Sequence, residues 1–511
     1  MQDFQNEPLR NMVAVGAVGP RSVRLWMRSD RPGTLTLHWW PAGEQHAGWQ
    51  GDICIPKGND HDNTCSVQVP EDFPSAPPLL PLRSYRFCVT FRADGGCIGE
   101  GEFETAPERP EDTPGRFALA VMSCNQPFTD RGVFTKQSDQ MLRVAYRCLQ
   151  THNTKLVFTV GDQMYADNPP PLSLLDAAHF ATVAPPGRMR LHHCTPAEVR
   201  RLYQRRYRHF WSSPAWQALH ASFPCYPILD DHEIVDNWGT KPAHQTPEWR
   251  AVGEGARAAY VDYQGSRVLP GGGKPPESFH YTVSYGHLGA FVMDLRSNRT
   301  GGEDGRLFSK AQGAALRHFL HEHRDKKCLC IVLSVPVIHL PRIPVKVVGY
   351  LAHWNEDFAD RWSTGGHCRD RDRVLHWLAA HQRQHPRQRL VLLSGDIHIG
   401  CVHEVRWSPR GPMLYQLVSS GITNDIGVLM QSISTLLIRL NRHVTTEDGA
   451  LRARVRLLKG VGRQRQNPYG GVNVGILEIE TPTPETSPTL RFFLYSHQGE
   501  EPICVYQSPP L

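Results

Sequence analysis

LVFTVGDQMYADN, residues 156–168, decides how the rest of the chain is read. Leu156, Val157, Phe158, Thr159 and Val160 form an apolar, β-branched run of strand length, which predicts a buried strand. Gly161 then lets the backbone turn sharply and present Asp162 at the strand's carboxyl end, the edge at which open α/β sheets place their ligands. Tyr165 stands close enough along the chain to return to the same point. Asp167 and Asn168 follow before Pro169, Pro170 and Pro171 stop any regular element. Taken alone, the stretch describes a strand ending in a polar turn equally well.

Recurrence changes that reading. RLVLLSGDIH at 389–398 repeats the design, with Gly395 before Asp396 and His398. FALAVMSCNQ at 117–126 is a third apolar strand, ending in Ser123, Cys124, Asn125 and Gln126. YPILDDHEIVDNW at 226–238 ends a fourth short apolar piece with Asp230, Asp231, His232 and Glu233. Four strand ends carrying oxygen, nitrogen and sulfur donors predict a metal site on one edge of a sheet, with carboxylates for a hard ion and imidazole or thiolate for a transition metal.

The chain's 511 residues suffice for two or three domains. With 40% apolar and 21% charged residues it has a globular composition. A net charge of +6 is too small to indicate a nucleic-acid partner. The thirteen cysteines include no CxxC, which argues against a zinc ribbon or a disulfide framework and for buried thiols. The first residues, MQDFQNEPLRNMVAVG, contain no apolar core of signal length, so the expected compartment is the cytoplasm, or an exported one if a leader has been removed. No stretch reaches the roughly 20 apolar residues of a membrane span.

Residues 12–105 alternate apolar and polar positions between Gly/Pro turns and predict a β-sandwich that supports or shapes one wall of the site; PERPEDTPG at 107–115 reads as a connector. The expected division is an accessory domain over 1–108 and a catalytic domain over 109–511, where strands alternate with helices. PAEVRRLYQRRYRHFW at 196–211 predicts a basic helix whose aromatic stripe packs inward and whose arginines are solvated or, alternatively, face an anionic substrate. Residues from 240 to about 278 read as polar without an assigned element. HEH at 321–323 reads as helix surface, and KCLCIVLSVPVIH as a buried strand ending near Ser334 and His339. Past Gly400, CVHEVRW, MLYQLVSSG, NVGILEIE and TLRFFLYS are expected to form one antiparallel run. The apolar segment 426–440 is expected as a core or lid helix in preference to a membrane-surface helix, having few basic residues.

SCNQ at 123–126, GDQMYAD at 161–167, DDHEIVDNWG at 230–239, MDLRSNR at 293–299 and LSGDIH at 393–398 together resemble the alkaline phosphatase D (PhoD-like) branch of the calcineurin-like metallophosphoesterases, in order and spacing over about residues 116–400. The resemblance implies an αββα metallophosphoesterase sandwich with an N-terminal β-sandwich accessory domain. It implies Cys124, Asp162, Tyr165 and His398 around Fe(3+), with Asp162 bridging to a second, harder ion, Ca(2+), held also by Asp231 and Asp396. Other divalent metals (Zn, Mn, Mg) are the alternatives. His232 is expected to face the phosphate as a catalytic residue, Arg296 to neutralise phosphate oxygens or to sit in a buried ion pair, and Asn237 to contact substrate or metal. His339 occupies the place of a ligand histidine of related enzymes.

The implied activity is hydrolysis of small-molecule or lipid phosphate esters, monoesters or diesters, by a metal-activated hydroxide. A non-catalytic scaffold that has lost its metals is the alternative from another class. A nuclease is a third, with only the basic helix at 196–211 in its favour.

Overall fold

The computed structural model describes residues 8–269, 275–339, 361–408, 413–481 and 486–511. Seven strands at the N-terminus form two antiparallel sheets. Met12–Val18, Val23–Arg28 and Thr64–Val69 make one; Trp49–Ile55, Gly33–Pro41, Ser84–Phe91 and Cys97–Glu104, in that spatial order, make the other. Alternate residues of both, among them Val15, Leu25, Leu37 and Phe87, fill a common core, so this is a β-sandwich.

The rest of the chain builds two facing sheets. The first runs Cys225–Ile228, Thr154–Val160, Arg116–Met122, Val474–Glu480, Thr489–Gln498, Glu501–Gln507. Its first three strands are parallel, and Val474–Glu480 joins them antiparallel. The second sheet runs Tyr281–Tyr285, Leu288–Val292, Cys328–Val332, Arg389–Ser394, Met413–Val418, Cys401–Arg406, Arg452–Leu457, His443–Thr445, with four parallel strands from Leu288–Val292 to Met413–Val418.

The continuous apolar runs of these central strands follow from burial on both faces. Cys330, Val332, Val391 and Leu393 point between the sheets with Val121 and Ile476, whereas Leu329, Ile331, Leu390 and Leu392 point outward. Outside, they meet Leu316 and Phe319 of helix Lys310–Glu322 and Val374, Leu375 and Leu378 of helix His367–Gln384. Helix Lys136–Thr151, started by the Thr135 side chain accepting from the Ser138 backbone, covers the first sheet. The result is the expected αββα layering.

Three expectations need correction. The C-terminal strands are not one run: Cys401–Arg406 and Met413–Val418 belong to the second sheet, whereas Val474–Glu480 and Thr489–Gln498 cross to the first, where Val474–Glu480 pairs with the distant Arg116–Met122. Residues 240–278 contain the helix Pro247–Tyr263, whose Val252, Ala256, Ala259, Tyr260 and Tyr263 form a buried face. Segment 426–440 is indeed helical, Gly427–Leu440, but it is not core: Val428 is 79% and Leu429 73% exposed, and only Leu437 and Ile438 are buried.

The sandwich packs on helix Pro214–Ser222 and strand Cys225–Ile228, and polar bonds join it to the helices Pro196–Phe210 and Pro247–Tyr263. Asp62 is bonded by Arg28 from its own domain and by Arg208 and Tyr263 from the helices. The Trp26 indole N–H donates to the Asp262 carbonyl at 2.7 Å, and the Arg267 guanidinium lies between the Trp26 and Trp211 rings. Tyr203, Tyr207, Phe210 and Trp211 pack inward as expected. Several arginines of the same helix are engaged internally: Arg200 pairs with Asp262, and Arg206 donates to the carbonyls of Tyr165 and Asn168.

Candidate metal centre

Parallel strands Arg116–Met122, Thr154–Val160 and Cys225–Ile228 end on one edge, and strand Arg389–Ser394 of the facing sheet ends opposite them. The loops leaving these ends carry Cys124, Asp162, Asp231 and Asp396. Gly161 has φ +89°, and a Cβ there would lie 2.4 Å from Asp230 Cβ, so the close approach of two loops requires glycine. Gly395 is close to the other sheet in the same way, its Cβ position being 2.1 Å from Ser123 Oγ.

Cys124, Asp162, Asn237, Asp396 and His398 all adopt left-handed backbone conformations, with φ between 53° and 65°. Such conformations cost non-glycine residues energy and persist where surrounding contacts over-determine them. Those contacts are present. Glu233, fully buried, accepts from the backbone N–H groups of Asp162 (2.8 Å), Gln163 (2.7 Å) and Asp230 (2.7 Å), fastening two loops with one carboxylate. Ser123 Oγ accepts from Asp396 N and Ser420 Oγ from His398 N, at 3.2 and 2.8 Å.

Cys124 Sγ lies 3.3 Å from Asp162 Oδ2 and 3.2 Å from Ser420 Oγ; Tyr165 OH is 3.5 Å from the same Asp162 oxygen and accepts from Asn424 Nδ2 at 3.1 Å. Ligand atoms of Asp162, Asp231 and His232 lie within 4.8 Å of one another, as do those of Asp162, Asp230, Asp231 and Asp396. Asp162 is common to both groups. Its Oδ1 is buried without a hydrogen-bond partner, as is His398 Nδ1. Orphaned lone pairs of this kind are rare in folded proteins and fit a cation.

The electrostatics agree. Burial, reinforced by Cys124, Asp231 and Asp230, holds the Asp162 carboxyl well above its usual range. Burial, with Cys124 and Asp162 beside it, pushes Tyr165 up. Burial raises Glu233 to about 7 against the backbone donors that favour its charge. Burial also opposes ionisation of Cys124, but the neighbouring His398 ring and the hydroxyls of Ser123 and Ser420 outweigh it and bring the thiol down to about 6. Carboxylates that repel one another at a dry strand edge need positive charge to ionise together.

His232 Nδ1 donates to Asp167 Oδ1 at 2.7 Å, and its ring lies tilted by 32° against Tyr165 with centroids 4.2 Å apart. Burial works against the imidazolium, but Asp167 and Asp231 outweigh it and raise the group well above 6.5. The Asn237 backbone N–H donates to Asp231 Oδ2 at 2.7 Å. Arg296 is fully buried behind the carboxylates. Its Nε is bonded to Asp230, which also accepts from Ser334 Oγ at 2.8 Å, and its guanidinium lies 3.4 Å from Asp231. Arg361 is bonded to Asp396. Cys124, His398 and His339 lie outside both groups of candidate ligands; burial and Arg361 keep His339 neutral.

Sequence reasoning named Ser123 among the strand-end donors but gave no role to Ser420 and Asn424, which join it in holding Cys124 and Tyr165 in place. These two come from a segment about 300 residues further along the chain, and no local pattern marks them. Asp167 was visible beside Tyr165, but not its pairing with His232.

Residues 119–459 match the family model described as PhoD-like phosphatase. Alkaline phosphatase D of Bacillus subtilis (strain 168) is 24% identical over 313 residues, 58% of this chain and 48% of that protein, so the chain's match spans about half the length of this curated relative. A solved structure of PhoD superposes with a TM-score of 0.65 at 15% identity, covering 100% of this chain and 94% of that one. Purple acid phosphatase PPD1 from yellow lupin (Lupinus luteus) seeds superposes with 0.51 at 10% identity, over 98% and 74%. The two structural likenesses establish a metallophosphoesterase fold, and the family match, which covers well over half of the chain, adds its lineage: this chain belongs to the PhoD-like phosphatase family.

Proposed function

We propose that the chain hydrolyses phosphate esters with a hydroxide activated by two metal ions. The observation that carries the reading is Asp162: one buried carboxylate, with an unpartnered oxygen, shared by two groups of potential ligands at the edge where four strands end. Cys124, Asp162, Tyr165 and His398 offer sulfur, oxygen and nitrogen donors suited to Fe(3+). Asp162, Asp231 and Asp396 offer carboxylates suited to Ca(2+). Zinc, manganese and magnesium are the alternatives that metal analysis distinguishes.

When bound, such ions lower the pKa of a coordinated water and neutralise charge developing on the phosphoryl group. The chain's own residues supply the rest. Glu233 and the seryl hydroxyls hold the left-handed loops, so the ligand atoms are positioned before substrate arrives. His232, kept protonated by Asp167, donates a proton to the leaving oxygen as the phosphorus–oxygen bond breaks; water supplies the oxygen that remains on phosphate. Asn237 orders the Asp231 loop. Arg296 acts from behind the carboxylates, fixing Asp230 and Asp231.

Metal analysis with a visible spectrum, then release of nitrophenol from nitrophenyl phosphate and bis-nitrophenyl phosphate, tests the reading. Iron with a charge-transfer band and turnover of either ester supports it; protein carrying no metal and releasing no nitrophenol refutes it and favours a scaffold role. The nuclease reading loses weight because Arg200, Arg206 and Arg208 are engaged internally.

The proposed division remains 1–108 and 109–511, supported by the last sandwich strand ending at Glu104 and the next sheet beginning at Arg116. Among the described residues no helix is long and apolar enough to cross a membrane. All thirteen cysteines are free thiols, eight of them buried, which supports the cytoplasm over an oxidising compartment.

A further inference from the structure

Beside the strand-end cluster is a cavity of about 270 Å³. Its wall is tied to the candidate ligand Tyr165 and to the loop that carries Cys124. Asn424 donates to Tyr165 OH at 3.1 Å, Thr423 donates to Asn125 Oδ1 at 3.1 Å, and Gln126 follows Cys124 by two residues. Among the described residues that line it there is no Lys, Arg or His; the charged ones are Asp130 and Asp425. Gln126 is 7% exposed, and its side-chain Nε2 has no partner. A buried amide donor left open on a cavity wall points to a ligand oxygen.

We propose that this cavity receives the alcohol part of the ester and selects for small polar alcohols that are uncharged or cationic, short polyols and amino alcohols, against alcohols bearing a carboxylate or second phosphate. The inference rests on the phosphoester-hydrolase reading above and names its substrate class. The open Gln126 donor serves a hydroxyl or ester oxygen, while the carboxylates of Asp130 and Asp425 attract an ammonium group and repel an anion. In the reaction water's oxygen bonds to phosphorus, the bond from phosphorus to the alcohol oxygen breaks, and the protonated alcohol is released in this cavity.

The test compares kcat/KM for phosphoethanolamine, ethyl phosphate and phosphoglycolate, using the metal-loaded full chain at low ionic strength. The three esters differ chiefly in the charge of the alcohol part. We expect phosphoethanolamine to exceed phosphoglycolate by at least about 10-fold, with ethyl phosphate between, and the ratio to shrink in about 0.5 M salt as screening shortens. Asp130 is exposed, so Asp130→Lys tests the charge without disturbing the core. It should bring the ratio, normalised to ethyl phosphate, to about 1 or invert it. Inhibition by free ethanolamine stronger than by glycolate gives a binding readout of the same preference. Turnover of all three at equal rates, or preference for phosphoglycolate, overturns the subsite and leaves ester hydrolysis standing. No turnover of any of them overturns the hydrolase reading and the subsite with it.

Discussion

Asp62, partly buried, and Asp162, fully buried, are aspartates that tie distant segments together, and they solve the problem of desolvation in opposite ways. Asp62 meets Arg28, Arg208 and Tyr263, so that despite desolvation its carboxyl is held below the ordinary value. Asp162 meets Cys124, Asp231, Asp230 and Glu233, and its carboxyl is held well above. The first cluster contains its own counter-charge and is a joint between domains. The second has surplus negative charge and an unbonded oxygen, the condition of a site completed by cations.

The strongest way to break this contrast is Asp162→Asn. Loss of metal with a fall in turnover of at least about 10³-fold, roughly 4 kcal/mol, is expected. The variant should fold, because removing a repelled charge relieves the cluster. Unchanged metal content and turnover would end the assignment. Asp62→Asn should do the reverse, costing about 3 kcal/mol in denaturant unfolding because Arg28 and Arg208 lose their anion, with metal content unaltered.

The contrast also extends to pH. Because the folded-state pKa of Asp62 is depressed below 3.8, its contribution to stability is present above that value and is lost as pH falls through the folded value. Acid unfolding of Asp62→Asn should therefore show a flatter dependence below about pH 4. An unchanged slope would remove Asp62 from the acid response. Asp167→Asn sharpens the comparison from the catalytic side. His232 should lose its proton at lower pH, moving the alkaline limb of kcat to lower pH and reducing turnover about 10- to 30-fold, roughly 1.4–2 kcal/mol. An unmoved limb would exclude His232 as the acid. The smallest effect belongs to Val428→Ser, far from both kinds of cluster on the exposed helix; its stability should stay within about 0.5 kcal/mol, and a larger loss would show the helix is packed.

The strand ends were legible because each is local: an apolar run, a turn residue and a donor stand next to one another in FTVGD and LLSGD. The αββα layering was legible for the same reason, since strands buried on both faces are apolar throughout. Partner choice was not. NVGILEIE looks like a continuation of the antiparallel strands before it, but pairs with FALAVM, which nothing in either stretch specifies. Helix Pro247–Tyr263 did carry a signal, Thr246 before Pro247 and Glu248, and was obscured by small residues on its buried face. The apolar composition of 426–440 indicated burial, although composition cannot distinguish a helix beneath a surface from one on it. Glu233 shows the limit inside the site: its neighbours mark it as a donor, but its task is to hold backbone amides.

The pairing of Arg116–Met122 with Val474–Glu480 has a consequence during synthesis. Roughly 350 residues separate the two strands, and a ribosome adding about 5–20 residues per second takes about 20–70 s to deliver the second after the first. The N-terminal sandwich needs nothing downstream for its own hydrogen bonds and is free to form early. Arg116–Met122 meanwhile has an open edge in the middle of what will be its sheet, a template for any passing strand. In a growing chain that edge therefore stays without its native partner until Val474–Glu480 has been made.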